Sequence, residues 1–144
     1  MINDIFRVFG EQTAEILFEI ITGCMDDYLY IFDLQNNTFE ISQSAVKRFN
    51  MSKNVLTDAA NEVMKVVYEE DRRMLTKHLA DICEGRENVH NLHYRWLDKD
   101  GMPVWINCRG IVIVDQQGKA EYLVGCLNET GNRRRADNVT GLLG

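Results

Sequence analysis

The sequence predicts an α+β fold: a five-stranded antiparallel sheet with short helices on one face and a long amphipathic helix ahead of it. Three observations carry this expectation. A strand-like hairpin opens the central part of the chain, helical periodicity takes over between about residues 44 and 85, and three strand-like segments joined by tight turns follow. Strands and helices grouped in blocks, rather than alternating, indicate α+β with antiparallel pairing.

The elements follow in order. Apolar residues at Ile2, Ile5, Phe6, Phe9, Ile16, Leu17, Ile20 and Ile21 recur at intervals of three and four, which places them on one face of a helix within 1–24. Gly10 weakens that helix locally and Gly23 suits its end. A seam of this length either caps the domain that follows or pairs with a second copy of itself. Tyr28–Asp33 is rich in aromatic and β-branched residues and reads as a strand; Gln35-Asn36-Asn37 gives a turn, and 38–42 a second strand. Helical pieces at 44–49 and 57–67 lead to a stronger helix over 69–83, where Met74, Leu75, His78, Leu79 and Ile82 repeat at helical spacing. The acidic run Glu69-Glu70-Asp71 suits its N-terminus, where the helix dipole favours negative charge, and Gly85 suits its end.

Strand character then returns. Val89–Leu97 alternates, with Leu92, Tyr94 and Trp96 on one face and His93, Arg95 and Leu97 on the other. Asp98-Lys99-Asp100-Gly101 is a hairpin turn, since Asp-Gly tolerates positive φ. A long strand over 104–114, a second turn at Asp115-Gln116-Gln117-Gly118 and a final strand over 121–127 complete the chain's ordered part.

Composition narrows the function. The 144 residues suit one domain, and 45% hydrophobic with 26% charged residues is ordinary globular composition. A net charge of −6 excludes a general nucleic-acid binder, which needs a basic face. The one dense basic cluster, Arg133-Arg134-Arg135, reads as a solvated linker helix. Cys24, Cys83, Cys108 and Cys126 form no C-x-x-C pair and no metal-ligand spacing with His78, His90 and His93. They read as reduced core cysteines of a cytosolic protein with no metal centre. The most apolar stretch, 14–21, is broken by Glu15 and Glu19 and is too short to span a bilayer, so no membrane contact is expected from this segment.

Several local strings resemble a PAS domain with a PAC-type C-terminal half. Tyr94-Arg95, Asp100-Gly101, Trp105-Ile106, Asp115 with Gly118, and Leu123-Val124-Gly125 follow that family's Tyr-Arg, Asp-Gly, Trp-Val, Asp-x-x-Gly and hydrophobic-hydrophobic-Gly run in order. Glu70-Asp71-Arg72 resembles the start of its long helix. The likeness covers about residues 25–130, which become the sensory domain between an N-terminal helix over 1–24 and a segment over 131–144 that holds a linker and the first residues of a following domain. After its last strand the family shows Asp-Ile-Thr, where this chain has Asn128-Glu129-Thr130. Thr130 can still cap an outgoing helix through its hydroxyl, but the carboxylate of the first position is lost, so any salt bridge at that joint lacks its usual acceptor.

PAS domains hold small molecules between the inner sheet face and the short helices, so the resemblance makes Tyr30, Tyr94, Trp96, Ile106 and Cys108 the candidate pocket lining, with Val112, Leu92 and Phe32 nearby. The same side chains equally suit a filled core without ligand. Polar groups that would orient a ligand are Tyr30, Tyr94, Asn107 and His93. Asn107-Cys108-Arg109 matches the Asn-Cys-Arg of flavin-binding photosensors only superficially, because it lies on a strand and is followed by Gly110-Ile111-Val112. His78 occupies the helix that supplies the haem ligand in haem-binding relatives, but a lone His between Lys77 and Leu79 reads as a boundary residue. Neither flavin nor haem is expected.

No nucleophile–base arrangement or phosphate-cradling loop points to catalysis. The chain ends on Asp137-Asn138-Val139-Thr140-Gly141-Leu142-Leu143-Gly144, which resembles the opening of a GGDEF diguanylate cyclase domain, although no Gly-Gly-Asp/Glu-Glu-Phe occurs. The resemblance implies a cytoplasmic, dimeric sensory module that controls a cyclase domain following it in cis. The alternative is a stand-alone ligand-binding protein or a small α+β isomerase or hydrolase with His93 as base.

Overall fold

The computed structural model describes residues 26–130, so the expectations for a helix over 1–24 and for a linker and tail over 131–144 lie outside the described residues. Strand β1 (Tyr28–Asp33) and β2 (Thr38–Ile41) form the first hairpin. Helix α1 (Gln43–Arg48), strand β3 (Val55–Thr57), helix α2 (Ala59–Val66), a 3₁₀ turn (Glu69–Asp71) and helix α3 (Arg72–Cys83) follow. Strands β4 (Val89–Leu97), β5 (Pro103–Val114) and β6 (Ala120–Glu129) complete the domain.

The strands form one sheet in the order β3-β2-β1-β6-β5-β4, antiparallel throughout. The last strand therefore lies at the centre beside the first, and the chain leaves the sheet from its middle. The sheet has six strands rather than five, because Val55–Thr57 pairs with β2 as an edge strand. Three residues are too few to display an alternation, and the helix expected from Thr57 starts only at Ala59.

The two long turns are closed by the same device. Asp98 Oδ1 accepts the amides of Asp100 and Met102, each at 2.9 Å, while Gly101 supplies φ 78°. Asp115 Oδ1 accepts those of Gln117 and Lys119 at the same distance. An Asp side chain that mimics a backbone turn explains why Asp-x-x-Gly recurs at both corners.

Helices and the inner sheet face enclose one core. Phe49 meets Trp96 edge-on with ring centroids 5.1 Å apart, Tyr28 meets Phe49 at 5.4 Å, and Phe39 lies between Tyr30 and Phe32 at 5.6 and 5.7 Å. Such pairs add about 0.5–1.5 kcal/mol each to the gain from burial. The alternation on β4 and β5 sends Tyr94, Trp96, Ile106 and Cys108 inward, as the sequence predicts.

Candidate functional site

Four strands meet at one level of the inner face, and the residues in register there are His90, Gly110, Gly125 and Tyr30. The glycines give the Tyr30 ring its floor. A Cβ at Gly110 would stand 2.7 Å from the Tyr30 hydroxyl, and one at Gly125 would collide with the Arg109 carbonyl oxygen and the Gly110 Cα. Glycine within a strand marks such a close approach. Tyr30 thus reaches across β6 to donate a hydrogen bond to the Arg109 carbonyl at 3.2 Å. The Cys108 thiol donates to Tyr30 Oη at 3.4 Å and also interacts with the Tyr94 hydroxyl.

Burial sets the chemistry of this cluster. It pushes the Cys108 thiol up to about 11, partly offset by the two tyrosine hydroxyls. It also raises Tyr30 and Tyr94 well above the ordinary phenol range. All three stay neutral at physiological pH, so the cluster offers hydrogen bonds and no nucleophile.

The five residues expected to line a pocket are brought together on the inner face, each at 5% exposure or less. Trp96 stands slightly apart from the others, wedged between Phe39 and Phe49. Two of the four polar candidates are misplaced by the sequence reading. His93 and Asn107 lie on the outer face, where Asn107 Nδ2 donates to Asn91 Oδ1 at 2.9 Å. His93 therefore cannot serve as a base within the core. The residue that sequence reasoning passed over is His90, which carrying the alternation one step back from Leu92 places inward. It is 2% exposed, and His78 on α3 faces it with ring centroids 4.9 Å apart. Desolvation, followed by the charge of His78, lowers its pKa to about 4.

A second constellation surrounds the point where the chain leaves the sheet. Arg48, at the end of α1, grips Glu129 with two hydrogen bonds of 2.8 and 2.9 Å, and Asp98 lies 3.8 Å from the same guanidinium. The carboxylate missing at Asn128 is thus supplied one residue later, and the joint carries a salt bridge. Beyond it, Arg95 lies between the rings of Tyr68 and Trp105, 4.4 and 4.6 Å from their centroids. It holds Asp71 at 2.9 and 2.7 Å. Those hydrogen bonds hold the Asp71 carboxyl below the usual range. Asp71 thus ties the start of α3 to β4 and makes no side-chain cap on the helix. The carbonyl of Trp105 accepts the amide of Thr130 at 3.0 Å, and the Thr130 hydroxyl is buried without a partner among the described residues.

Among the described residues no three His, Cys, Asp or Glu side chains converge on a common point, and no helix is long and apolar enough to cross a membrane.

A family model described as PAS fold matches residues 38–127. No curated protein matches the sequence. Among solved structures, a sensory box histidine kinase/response regulator from Burkholderia thailandensis E264 superposes with a TM-score of 0.64 at 16% identity, over 87% of this chain and 92% of that one. The N-terminal domain of a diguanylate cyclase with PAS/PAC sensor from Marinobacter aquaeolei gives 0.62 at 20% identity, over 75% and 98%. A PAS domain from Colwellia psychrerythraea gives 0.59 at 18%, over 79% and 96%. At these identities the structural likeness speaks for the fold alone.

Proposed function

The chain belongs to the PAS family, and from that premise we propose that it is the sensory and dimerisation module of a GGDEF diguanylate cyclase. The cyclase domain follows it in cis and responds to the geometry of the linker after Thr130. A PAS domain is a sensory module and not a catalyst. The polypeptide that contains this one makes cyclic di-GMP, and these residues set how fast.

The observation that carries the reading is the Arg48–Glu129 pair. It joins α1, which covers the inner face, to the last residue of the strand from which the chain departs. Anything that displaces α1, including a small molecule among Tyr30, Tyr94, Trp96, Ile106 and Cys108, pulls on Glu129 and hence on the linker. The Trp105–Thr130 hydrogen bond connects the same exit to the start of α3 through Arg95 and Asp71. Two packings of helix against sheet would give the linker two orientations.

Dimerisation is supported by the outer face. Val89, Ile111, Val124 and Ile31 stand in one row across four strands, with Val89 and Ile111 more than half exposed. An apolar row of this kind is suited to the seam of residues 2–21 and to a second copy. The module works in the cytoplasm, where the product acts.

Three measurements test the reading. The DNA downstream of the Gly144 codon continues in frame into Gly-Gly-Asp/Glu-Glu-Phe; a stop codon there contradicts the proposal. Sedimentation finds the 144-residue chain dimeric at micromolar concentration; a strict monomer at high concentration counts against the paired-linker mechanism, and GTP turnover by this chain alone would overturn the absence of an active site.

A further inference from the structure

Helix α3 rests lightly on the sheet. It buries only Leu75 and Ile82 of its own residues, and the stretch 83–89 that leads from it into β4 is exposed. Its start is tied, because Asp71 just ahead of it is held by Arg95 on β4. Midway along it, His78 faces His90 with ring centroids 4.9 Å apart. His90 is 2% exposed, and its Nδ1, like Nε2 of His78, is buried without a partner among the described residues. No carboxylate acts on His90, and His78 is the one charged group that does. At this level β5 presents Gly110, β6 presents Gly125 and β1 presents the neutral phenol of Tyr30. The next inward residue of β5, Cys108, holds a neutral thiol. On α3 itself the carboxylate of Asp81 is taken up by Lys77 and Arg86, at 3.2 and 2.7 Å.

We propose that His78 and His90 act as an acid-operated latch: while both rings are neutral α3 stays closed on β4, and a proton on His90 frees the helix to lift from the sheet about its tied start. The closed state has no place for that proton. The added charge would lie in an apolar setting against a second imidazole, and its Nδ1–H would find no acceptor among the described residues. Burial, followed by the charge of His78, lowers the pKa of the closed state to about 4, against 6.5 for a free ring. The open form therefore binds the proton more tightly and gains population as pH falls from 6.5 towards 4. With those two values the open-to-closed ratio rises about 20-fold between pH 7 and pH 5. Lifting a helix that buries two side chains is a smaller event than unfolding the sheet, so the opening is local. The latch stands whatever follows residue 130.

The test follows amide hydrogen exchange in the full chain at pH 7 and pH 5, corrected for the intrinsic pH dependence of exchange. At both pH values the amides of α3 are less protected than those of β1 and β6, the mark of an opening separate from global unfolding. On going to pH 5 their protection falls about 20-fold. His90→Leu removes most of that fall, and His78→Glu, which sets a carboxylate against His90, cuts it several-fold. Equal protection in α3 and the sheet overturns the proposal, and so does α3 protection that is unchanged at pH 5. Both outcomes are read on the wild type and hold even if a variant fails to fold. An undiminished acid response in either folded variant overturns it as well.

Discussion

Where α1 meets the sheet, the inner face is filled by rings: Phe49 edge-on to Trp96, Trp96 against Phe39, and Phe39 against Phe32. Where α3 crosses β4, the same face carries two glycines, a buried imidazole whose Nδ1 has no partner among the described residues, a thiol and two phenols. Both regions are buried, yet they answer to different demands. The first maximises apolar contact. The second tolerates polar groups that a core built only for stability would replace with leucine, and it leaves two strands without side chains in the row where they converge. Burial alone does not distinguish the two regions; the buried imidazole nitrogens without a partner among the described residues and the glycine floor do.

Substitution on the aromatic side separates the two regions most strongly. Trp96 is 1% exposed and held by rings on two sides, so Trp96→Ala costs about 3–5 kcal/mol in urea unfolding. A loss below 1 kcal/mol, on the scale of a surface change, would erase the contrast.

Acid comes next, acting on the other side. The His90 ring takes a proton near 6.5 when unfolded but only near 4 when folded. Between those values the unfolded chain binds more protons, so stability falls as pH drops from 6.5 to 4, by roughly 3 kcal/mol at about 1.4 kcal/mol per unit. His90→Leu removes that part of the slope and is neutral or stabilising at pH 7, because it removes an unsatisfied polar group. Thermal melts across this range check both; an unchanged slope in the variant would place the acid sensitivity elsewhere.

Gly125→Ala follows, at about 1–3 kcal/mol or more. Its Cβ meets backbone on β5, which cannot swing aside as a side chain would. The smallest effect on stability belongs to the joint. Glu129 and Arg48 are both partly exposed, so Glu129→Gln costs about 1 kcal/mol or less. It nevertheless removes the connection between α1 and the exit. A variant with near-normal melting and altered output would mark the pair as a coupling element.

The distribution of legible and illegible features follows from distance in the chain. Alternation at Leu92, Tyr94 and Trp96 and the two Asp-x-x-Gly corners are local patterns, and the structure realises both. The edge strand at Val55–Thr57 is local too, but too short to carry a period. The Arg48–Glu129 pair spans 81 residues, so nothing near Asn128 announces that the carboxylate has moved by one position. Gly110 and Gly125 signal close approach, yet only the pairing of β1 with β6 reveals that Tyr30 fills the space. Asp71 reads in the sequence as part of an acidic first turn that suits the helix dipole; its engagement by Arg95, 24 residues on, is a tertiary fact.

The most direct test takes the polypeptide with its natural downstream residues and follows cyclic di-GMP formation from GTP in the wild type, Glu129→Gln and Arg48→Met. The account predicts that both substitutions leave folding and dimerisation intact and shift the rate several-fold in the same direction. Equal rates in all three proteins would contradict it.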